Sequence, residues 1–175
     1  ISGLTIGGAT LGFNSADTVF APVTLTGDTS IRVNAASVKG IINGVISGTG
    51  NLSFETAPNT LTGDTRLAIS GEATFTGNVK VTTNSSSSVN VITLELATSD
   101  ALPETTVVTL DGFNGSTDAA VQWCDLDLGG FDQTLAGLVT VKRSNRVQRV
   151  YSAVGPATLT VNNAVDQEFG GTLGK

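Results

Sequence analysis

The chain has 175 residues and a mass of 17.7 kDa, the size of one domain that can bury its own core. Its 15 acidic and 9 basic residues give a net charge of -6, which excludes a protein whose affinity comes from neutralising nucleic-acid phosphates. It has no His and a single Cys, so His-dependent catalytic triads, multi-ligand zinc sites and disulfide frameworks are excluded as well.

Short segments with period-two alternation follow one another along the chain, separated by Gly, Asn, Asp and Ser. Apolar residues of one parity predict strands with one buried face, and these residues are Val23 and Leu25, Ile31 and Val33, Val79 and Val81, Val108 and Leu110, Leu126 and Leu128, Val139 and Val141, and Leu159 and Val161. The apolar parity switches between Val91 and Ile92. A continuous strand would turn half of this segment out of the core, so we expect a bulge or corner there.

Internal repeats predict a solenoid. The hexapeptide T-L-T-G-D-T occurs at 24–29 and again at 60–65, and I-S-G begins at Ile1, Ile46 and Ile69. The I-S-G intervals indicate a period of about 22 residues, which predicts about eight irregular coils. The two hexapeptides do not follow this period. Coil lengths must therefore vary, or the two copies lie on different faces.

Three segments carry a family resemblance. Residues 43–52, N-G-V-I-S-G-T-G-N-L, resemble the G-x-I-S-G-T-G-x-L signature of the passenger-associated repeats of bacterial autotransporters. Residues 126–138 resemble the L-D-L-N-G-F-N-Q-T-I-x-x-L element of these repeats, and residues 157–174 resemble the A-T-L-T-V...F-S-G-x-I-G element. The resemblance implies a right-handed parallel β-helix on an exported, surface-displayed bacterial protein, and it implies no catalytic residues.

Composition, repeats and resemblance together predict an all-β chain, with one β-solenoid domain over residues 1–175. An antiparallel β-sandwich is the alternative fold. No apolar run is long enough to span a membrane. Because the chain opens on Ile1 without an initiator Met, we expect a mature or excised segment of a longer exported precursor.

Acidic residues are concentrated in one block without Lys or Arg, which contains Glu95, Asp100, Glu104, Asp111, Asp118, Asp125, Asp127 and Asp132. A β-helix enzyme acting on polysaccharides would need converging carboxylates, and its candidates here are Asp125, Asp127 and Asp132, with Arg143. Asp125 and Asp127 alternate with leucines, which favours outward, solubilising positions, and the resemblance to the autotransporter repeats implies that Asp132 lies in a turn. We therefore predict no catalytic, cofactor-binding or metal-binding residue and no enzyme activity.

A basic cluster of Lys142, Arg143, Arg146 and Arg149 follows the acidic block. A solvated strand face is one interpretation, and ion pairing with an acidic surface on a neighbouring subunit or domain is the other. A nucleic-acid site would require interleaved aromatic residues, and Tyr151 is the only ring nearby.

Cys124 shares the parity of Leu126, so we expect it to face inward as a small hydrophobe, with an exposed, bridging thiol as the alternative. Trp123 has the opposite parity and could form a sugar-stacking surface with Gln122 and Tyr151. Thr-x-Thr begins at Thr24, Thr60, Thr74 and Thr158, and the intervals between these motifs are unequal. The uneven spacing argues against an ice-binding surface, which would need one such motif in every coil.

The predicted function is that of a non-catalytic extracellular structural protein, a β-solenoid building block of a bacterial surface fibre or filament. Both ends of the chain are strand-like and lack a capping helix, so the expected partner is a second copy bound head to tail through the coil ends. The alternatives are an adhesin passenger segment that binds host or matrix glycans and a polysaccharide-active β-helix enzyme. No cofactor, no nucleic acid and no membrane insertion by this segment are expected.

Overall fold

The structure is a computed structural model, and it describes residues 2–57, 63–83, 90–112, 122–141 and 146–174. These residues form short strands and no helix, so none of them belongs to a helix that could cross a membrane. The abundance of Thr, Val and Gly explains this, because β-branched side chains favour strands and Gly favours turns. In chain order the strands are β1 (Leu4–Ile6), β2 (Thr10–Phe13), β3 (Thr18–Val19), β4 (Val23–Thr26), β5 (Thr29–Val33), β6 (Lys39–Ile42), β7 (Ile46–Thr49), β8 (Leu52–Thr56), β9 (Gly63–Ile69), β10 (Val79–Thr82), β11 (Asn90–Leu96), β12 (Val107–Asp111), β13 (Gln122–Asp127), β14 (Gln133–Leu135), β15 (Gly137–Thr140), β16 (Arg146–Tyr151), β17 (Leu159–Val161) and β18 (Thr172–Leu173).

The strands form four sheets. Sheet 1 has the order β1-β4-β7, sheet 2 the order β2-β5-β8-β10-β12-β15, and sheet 3 the order β3-β6-β9-β11-β13-β16-β18, while sheet 4 pairs β14 with β17. Neighbouring strands in every sheet are parallel. From β1 to β9 the chain visits sheets 1, 2 and 3 in turn three times, and the later strands extend sheets 2 and 3 coil by coil, so the architecture is a parallel β-solenoid. The predicted fold class is confirmed, and the antiparallel sandwich is wrong.

The coils are fewer and longer than predicted. One coil leads from Thr10 to its partner Ser30, whereas a later and much longer coil leads from Ile92 to its partner Cys124. Only five coil-to-coil steps separate the first and last strands of sheet 2. The predicted repeat period is wrong because Ile46 lies in sheet 1 and Ile69 in sheet 3, so their spacing is not one coil.

The repeated hexapeptide occupies different faces of the solenoid. Its first copy begins in β4 of sheet 1, whereas residues 63–65 of its second copy open β9 of sheet 3. Residues 60–62 of that copy, like Ile1, lie outside the described residues. Identical local sequence therefore does not place these segments in equivalent positions.

In each strand the side chains of one parity face inward, and they pack together in a single apolar core. Its members include Val23, Leu25, Ile31, Val33, Val79, Val81, Val108, Leu110, Leu126 and Leu128, as predicted. In β15, however, Leu138 is buried and pairs with Val108, so Val139 faces outward. The corner between Val91 and Ile92 is also wrong, because β11 runs without interruption through both residues.

A ladder of side-chain amides and one carboxylate joins consecutive coils where sheet 1 leads into sheet 2. Asp28 Oδ1 accepts a hydrogen bond from Asn51 N at 2.8 Å, Asn51 Oδ1 accepts one from Asn78 N at 2.9 Å, and Asn78 Oδ1 accepts one from Val107 N at 3.1 Å. Each side chain therefore satisfies a backbone donor of the next coil, which holds the coils in register.

Two glycines of the 43–52 motif are required by this stacking. Gly48 has a φ of 96°, and a Cβ there would lie 2.0 Å from the Leu25 carbonyl oxygen of the preceding coil. A Cβ at Gly44 would lie equally close to the Ala21 carbonyl oxygen. The motif that carries the family resemblance thus has a structural role at a tight approach between coils.

Candidate functional site

The outward side of sheet 3 brings residues from five strands into one column, and four of these residues are charged. Lys39 is in register with Arg66, Arg66 with Thr93, Thr93 with Asp125, and Asp125 with Arg149. Neighbouring strands are about 4.8 Å apart, so these side chains are close neighbours despite their separation in sequence. We call this side the charged face, and its other members are Asp64, Glu95, Trp123, Asp127 and Tyr151.

Arg66 is the centre of the first ion cluster on the charged face. Its Nε donates to Asp64 Oδ2 at 2.8 Å, and its Nη1 lies 3.4 Å from Asp127 Oδ2 and 3.6 Å from Glu95 Oε2. Lys39 Nζ adds a second cation, 2.7 Å from Glu95 Oε1. Burial alone would lower the pKa of Arg66, but the hydrogen bond and charge of Asp64 raise it overall. Arg66 therefore remains cationic among three carboxylates.

Arg149 forms the second cluster. Its Nε donates to Asp125 Oδ1 at 2.9 Å, and its Nη2 pairs with Asp125 Oδ2. The guanidinium carbon lies 4.0 Å from the centre of the Trp123 ring and 5.5 Å from that of Tyr151. The hydrogen bonds that Arg149 donates to Asp125 raise the pKa of Arg149. The Arg149 guanidinium is therefore engaged within the chain, by a bidentate ion pair with Asp125 and by stacking on the two aromatic rings.

Asp125 and Asp127 face away from the core, as their parity predicts, but they are not solvated. Asp125 is 0% exposed and Asp127 is 1% exposed. Asp127 also accepts hydrogen bonds from Gly129 N and Ala153 N, both at 3.0 Å. The expectation of solubilising positions is therefore wrong, because other coils supply the arginines that cover these carboxylates.

Asp132, the third candidate carboxylate, is exposed and lies two residues after the turn at 129–130 rather than in it. Its Oδ1 accepts a hydrogen bond from Thr158 N at 2.6 Å. Asp125, Asp127 and Asp132 thus have separate partners. Within the described part of the chain, no group of three or more Asp, Glu or Cys residues is arranged to hold a metal ion.

The acidic block and the basic cluster do not form separate charged surfaces. Asp111 pairs with Lys80 at 2.8 Å, and Asp100 Oδ1 accepts a hydrogen bond from Thr134 N at 3.0 Å. Arg149 forms an ion pair with Asp125 of the same chain, so the interpretation as a solvated strand face is wrong for this residue. Asp118, Lys142 and Arg143 lie outside the described residues.

Cys124 lies in the core and is fully buried, as predicted, so the exposed bridging thiol is wrong. Burial, together with the charges of Asp111 and Asp125, raises its pKa. Trp123 faces outward, but Gln122 is buried on the opposite side of β13 and Tyr151 is also buried. These three residues therefore do not form a sugar-stacking surface.

Sheet 1 has an outward side of a different kind, which we call the threonine face. Its members form two columns, and they are Thr24, Ser47 and Thr74 in one column and Thr26, Thr49 and Thr76 in the other. Thr26, Thr49, Thr74 and Thr76 are exposed. The unequal sequence intervals between the Thr-x-Thr motifs argue against such an array. In the structure, however, Thr24 and Thr74 lie in one column, two coils apart. Thr158 precedes β17 outside this array, and Thr60 lies outside the described residues.

Each end of the solenoid has an apolar cavity of about 490 Å³. At the N-terminal end it is lined by Leu4, Leu11, Val19 and Phe20, and Phe20 is 74% exposed. The cavity at the C-terminal end includes core-facing residues of the last coils, and these are Leu138, Val150, Leu159, Val161, Phe169 and Leu173. Apolar side chains thus line a cavity in the first and in the last described coils.

Comparison with protein-family models, curated proteins and solved structures gave no match. The likeness of residues 43–52, 126–138 and 157–174 to autotransporter repeats remains a resemblance. No family assignment follows from it.

Sequence reasoning missed Lys39, Arg66 and Lys80 as members of ion clusters. No local signal marks them, because their partners Glu95, Asp127 and Asp111 lie on other coils, far away in the sequence. The Asp28, Asn51 and Asn78 ladder was also missed. Each of its members directly follows a Gly, and this recurrence was the available signal.

Proposed function

We propose that the protein is a non-catalytic structural rod, a β-solenoid building block of an extracellular fibre on a bacterial surface. The observation that carries this proposal is that the carboxylates of the candidate site are occupied by structural partners. Asp125 pairs with Arg149, and Asp127 pairs with Arg66. Asp132 accepts a hydrogen bond from the backbone N–H of Thr158. A carboxylate that acts as a general acid, nucleophile or metal ligand must instead be open to its substrate or ion.

The regular stacking of the coils supports a mechanical role. Backbone ladders, the amide ladder and ion pairs between neighbouring coils all run along the axis of the solenoid, as between Arg32 and Glu55 at 2.8 Å. Neighbouring coils are therefore joined along the whole axis, which suits a rod. The location outside a bacterial cell rests on the resemblance to autotransporter passenger repeats.

Two assays test this proposal. The chain is incubated with acidic and neutral polysaccharides, with and without calcium, and the mixture is examined for new reducing ends and unsaturated products. We expect no cleavage, and cleavage would establish the polysaccharide-active alternative. Negative-stain electron microscopy of the concentrated chain is expected to show fibres. Polysaccharide binding without cleavage and without fibres would favour the adhesin.

The threonine face supports a second candidate function. Its hydroxyl groups repeat once per coil, about 4.8 Å apart, in two adjacent columns, and every member except Ser47 adds a methyl group. A regular surface of this kind suits a ligand that is itself a lattice, and ice is the candidate that we infer. Thermal hysteresis is expected in the unmodified chain and in Thr160→Tyr, which alters sheet 4, but not in Thr49→Tyr. Absence of hysteresis in the unmodified chain rejects this function.

A further inference from the structure

Two ion pairs of the charged face join coils that are not neighbours. Lys39 lies on β6 and its partner Glu95 lies on β11, so their contact at 2.7 Å passes over β9, which separates these strands in sheet 3. Arg66 on β9 lies 3.4 Å from Asp127 on β13, and this contact passes over β11 in the same way. Each of these two bridges therefore spans three consecutive coils.

Long side chains and a small residue between them make such a bridge possible. Strands two places apart in a sheet are separated by about 9.6 Å, a distance that the stems of Lys and Arg cover for the most part. In the skipped strand β9, the residue in register with Glu95 is Ala68, whose small side chain leaves room for the bridge from Lys39. Ala68 is 1% exposed, although it lies on the outward side of the sheet.

The two bridges are also connected to each other. Glu95 Oε1 contacts Lys39 Nζ, while Glu95 Oε2 lies 3.6 Å from Arg66 Nη1. The same Arg66 nitrogen lies 3.4 Å from Asp127 Oδ2, so one network links β6, β9, β11 and β13. The side chains of Arg66 and Glu95 are only 25% and 17% exposed. Water and salt therefore screen these pairs less than pairs on an open surface.

Contacts of this kind are not part of the general stability of a solenoid. That stability is approximately a sum over single coils and over the interfaces between neighbouring coils. Two ion pairs on sheet 2 follow this pattern, because Arg32 and Glu55 join the neighbouring strands β5 and β8, and Lys80 and Asp111 join the neighbouring strands β10 and β12. With neighbour contacts alone, the opening of one coil is independent of the coil two places away.

We propose that the charged face is an ionic strap that couples each of these coils to the second coil along the axis. Opening of the coil that contains β6 breaks the bridge from Lys39 to β11, and opening of the coil that contains β9 breaks the bridge from Arg66 to β13. The strap therefore suppresses the opening of single coils. Such resistance suits a rod that is exposed to load and to proteases outside a cell, and in this respect the inference rests on the proposed function.

Native-state hydrogen exchange, read by mass spectrometry, measures how often each strand opens. In Glu95→Met the backbone amides of β6 should exchange roughly threefold to tenfold faster, although the substitution lies two coils away. The reciprocal variant Lys39→Met should accelerate the exchange of β11 by a similar factor. Met keeps the length of both side chains and removes the charge. The double variant should exchange in β6 no faster than Lys39→Met, because both substitutions remove the same bond.

The matched control is Lys80→Met. Lys80 belongs to the same coil as Glu95, since β10 leads directly into β11, but its partner Asp111 lies in a neighbouring coil. The exchange of β6 should therefore stay unchanged in this variant. An acceleration in β6 as large as that in Glu95→Met would show that general destabilisation is responsible, and it would overturn the strap.

Ionic strength distinguishes charge from packing. At about 1 M NaCl the Debye length falls to about 3 Å, so the difference in β6 exchange between the unmodified chain and Glu95→Met should shrink. A difference that persists undiminished in salt would assign the effect to the packing of the side-chain stems and overturn the ionic strap.

The outcomes separate this inference from the proposed function. If Glu95→Met leaves the exchange of β6 unchanged and Lys39→Met leaves that of β11 unchanged, the strap is overturned and the non-catalytic rod still stands. Polysaccharide cleavage by a chain that shows the expected exchange in all variants would support the strap and overturn the proposed function.

Discussion

The charged face of sheet 3 and the threonine face of sheet 1 occupy the same kind of position, the outward side of parallel strands. On the charged face, Asp125 is fully buried and paired with Arg149, whose guanidinium lies over two aromatic rings, whereas Thr49 on the threonine face is exposed. The difference lies in the neighbours that coil stacking provides. Long side chains of opposite charge fold over one another and exclude water, while short hydroxyl side chains leave the sheet open.

The charged face should therefore respond strongly to the loss of one partner. Arg149→Ala leaves the Asp125 carboxylate buried without its guanidinium, and we expect the free energy of unfolding to fall by about 3 to 5 kcal/mol. Urea unfolding followed by circular dichroism measures the change. The double variant Asp125→Asn/Arg149→Met removes both charges and should recover most of the loss. A loss below about 1 kcal/mol in Arg149→Ala would mean that Asp125 is effectively solvated.

Alkaline pH should destabilise the same region. Burial raises the pKa of the Cys124 thiol above its usual 9.0, and burial together with the Asp125 charge raises the pKa of Tyr151 above 10.0. Above these usual values the unfolded chain loses protons that the folded chain retains. Stability is thus fully present below pH 9.0 and falls as the pH rises, by about 1.4 kcal/mol per pH unit for each group.

Variants separate the two titrations. In unfolding curves measured from pH 7 to pH 11, Cys124→Ala should remove the decrease that begins near pH 9, and Tyr151→Phe the part that begins near pH 10. Arg66 and Arg149 also have raised pKa values, but their contribution is lost only at still higher pH. A stability curve that is flat up to pH 11 in the unmodified chain would contradict the burial of both groups.

A substitution on the inner side of sheet 3 should instead increase the free energy of unfolding. The Thr65 hydroxyl is 0% exposed and has no hydrogen-bond partner. Thr65→Val keeps the shape and removes the unsatisfied group, so we expect a gain of about 1 kcal/mol in the free energy of unfolding. The urea midpoint should rise at an unchanged slope. Thr24→Val, on the half-buried outward side of sheet 1, is the control, and an equal gain there would show that β-propensity alone is responsible.

The smallest effect is expected on the threonine face. Thr49→Ala and Thr76→Ala remove exposed side chains, and each should change the free energy of unfolding by no more than about 0.5 kcal/mol. Thermal unfolding of both variants beside Arg149→Ala makes the contrast between the two faces direct. A loss in either threonine variant as large as that in Arg149→Ala would mean that this face, too, contributes to stability through its side chains.

The sequence by itself determined the fold class and most of the core. Alternation at positions such as Val79 and Val81 or Val108 and Leu110 is a local property, and the backbone sends successive side chains to opposite sides of any strand. The inward position of Cys124 followed from the same local reasoning. These features do not depend on which distant parts of the chain pack against the strand.

Only the tertiary structure decided which coils lie side by side. Register depends on the lengths of the connections between strands, and these lengths vary, so neither the coil number nor the placement of Ile69 followed from the spacing of similar peptides. The burial of Asp125 and the pairing of Arg66 with Asp127, which is distant in the sequence, follow from that register. In this solenoid the decisive neighbours of a side chain lie one or two coils away along the axis, and their identity emerges only when the coils are stacked.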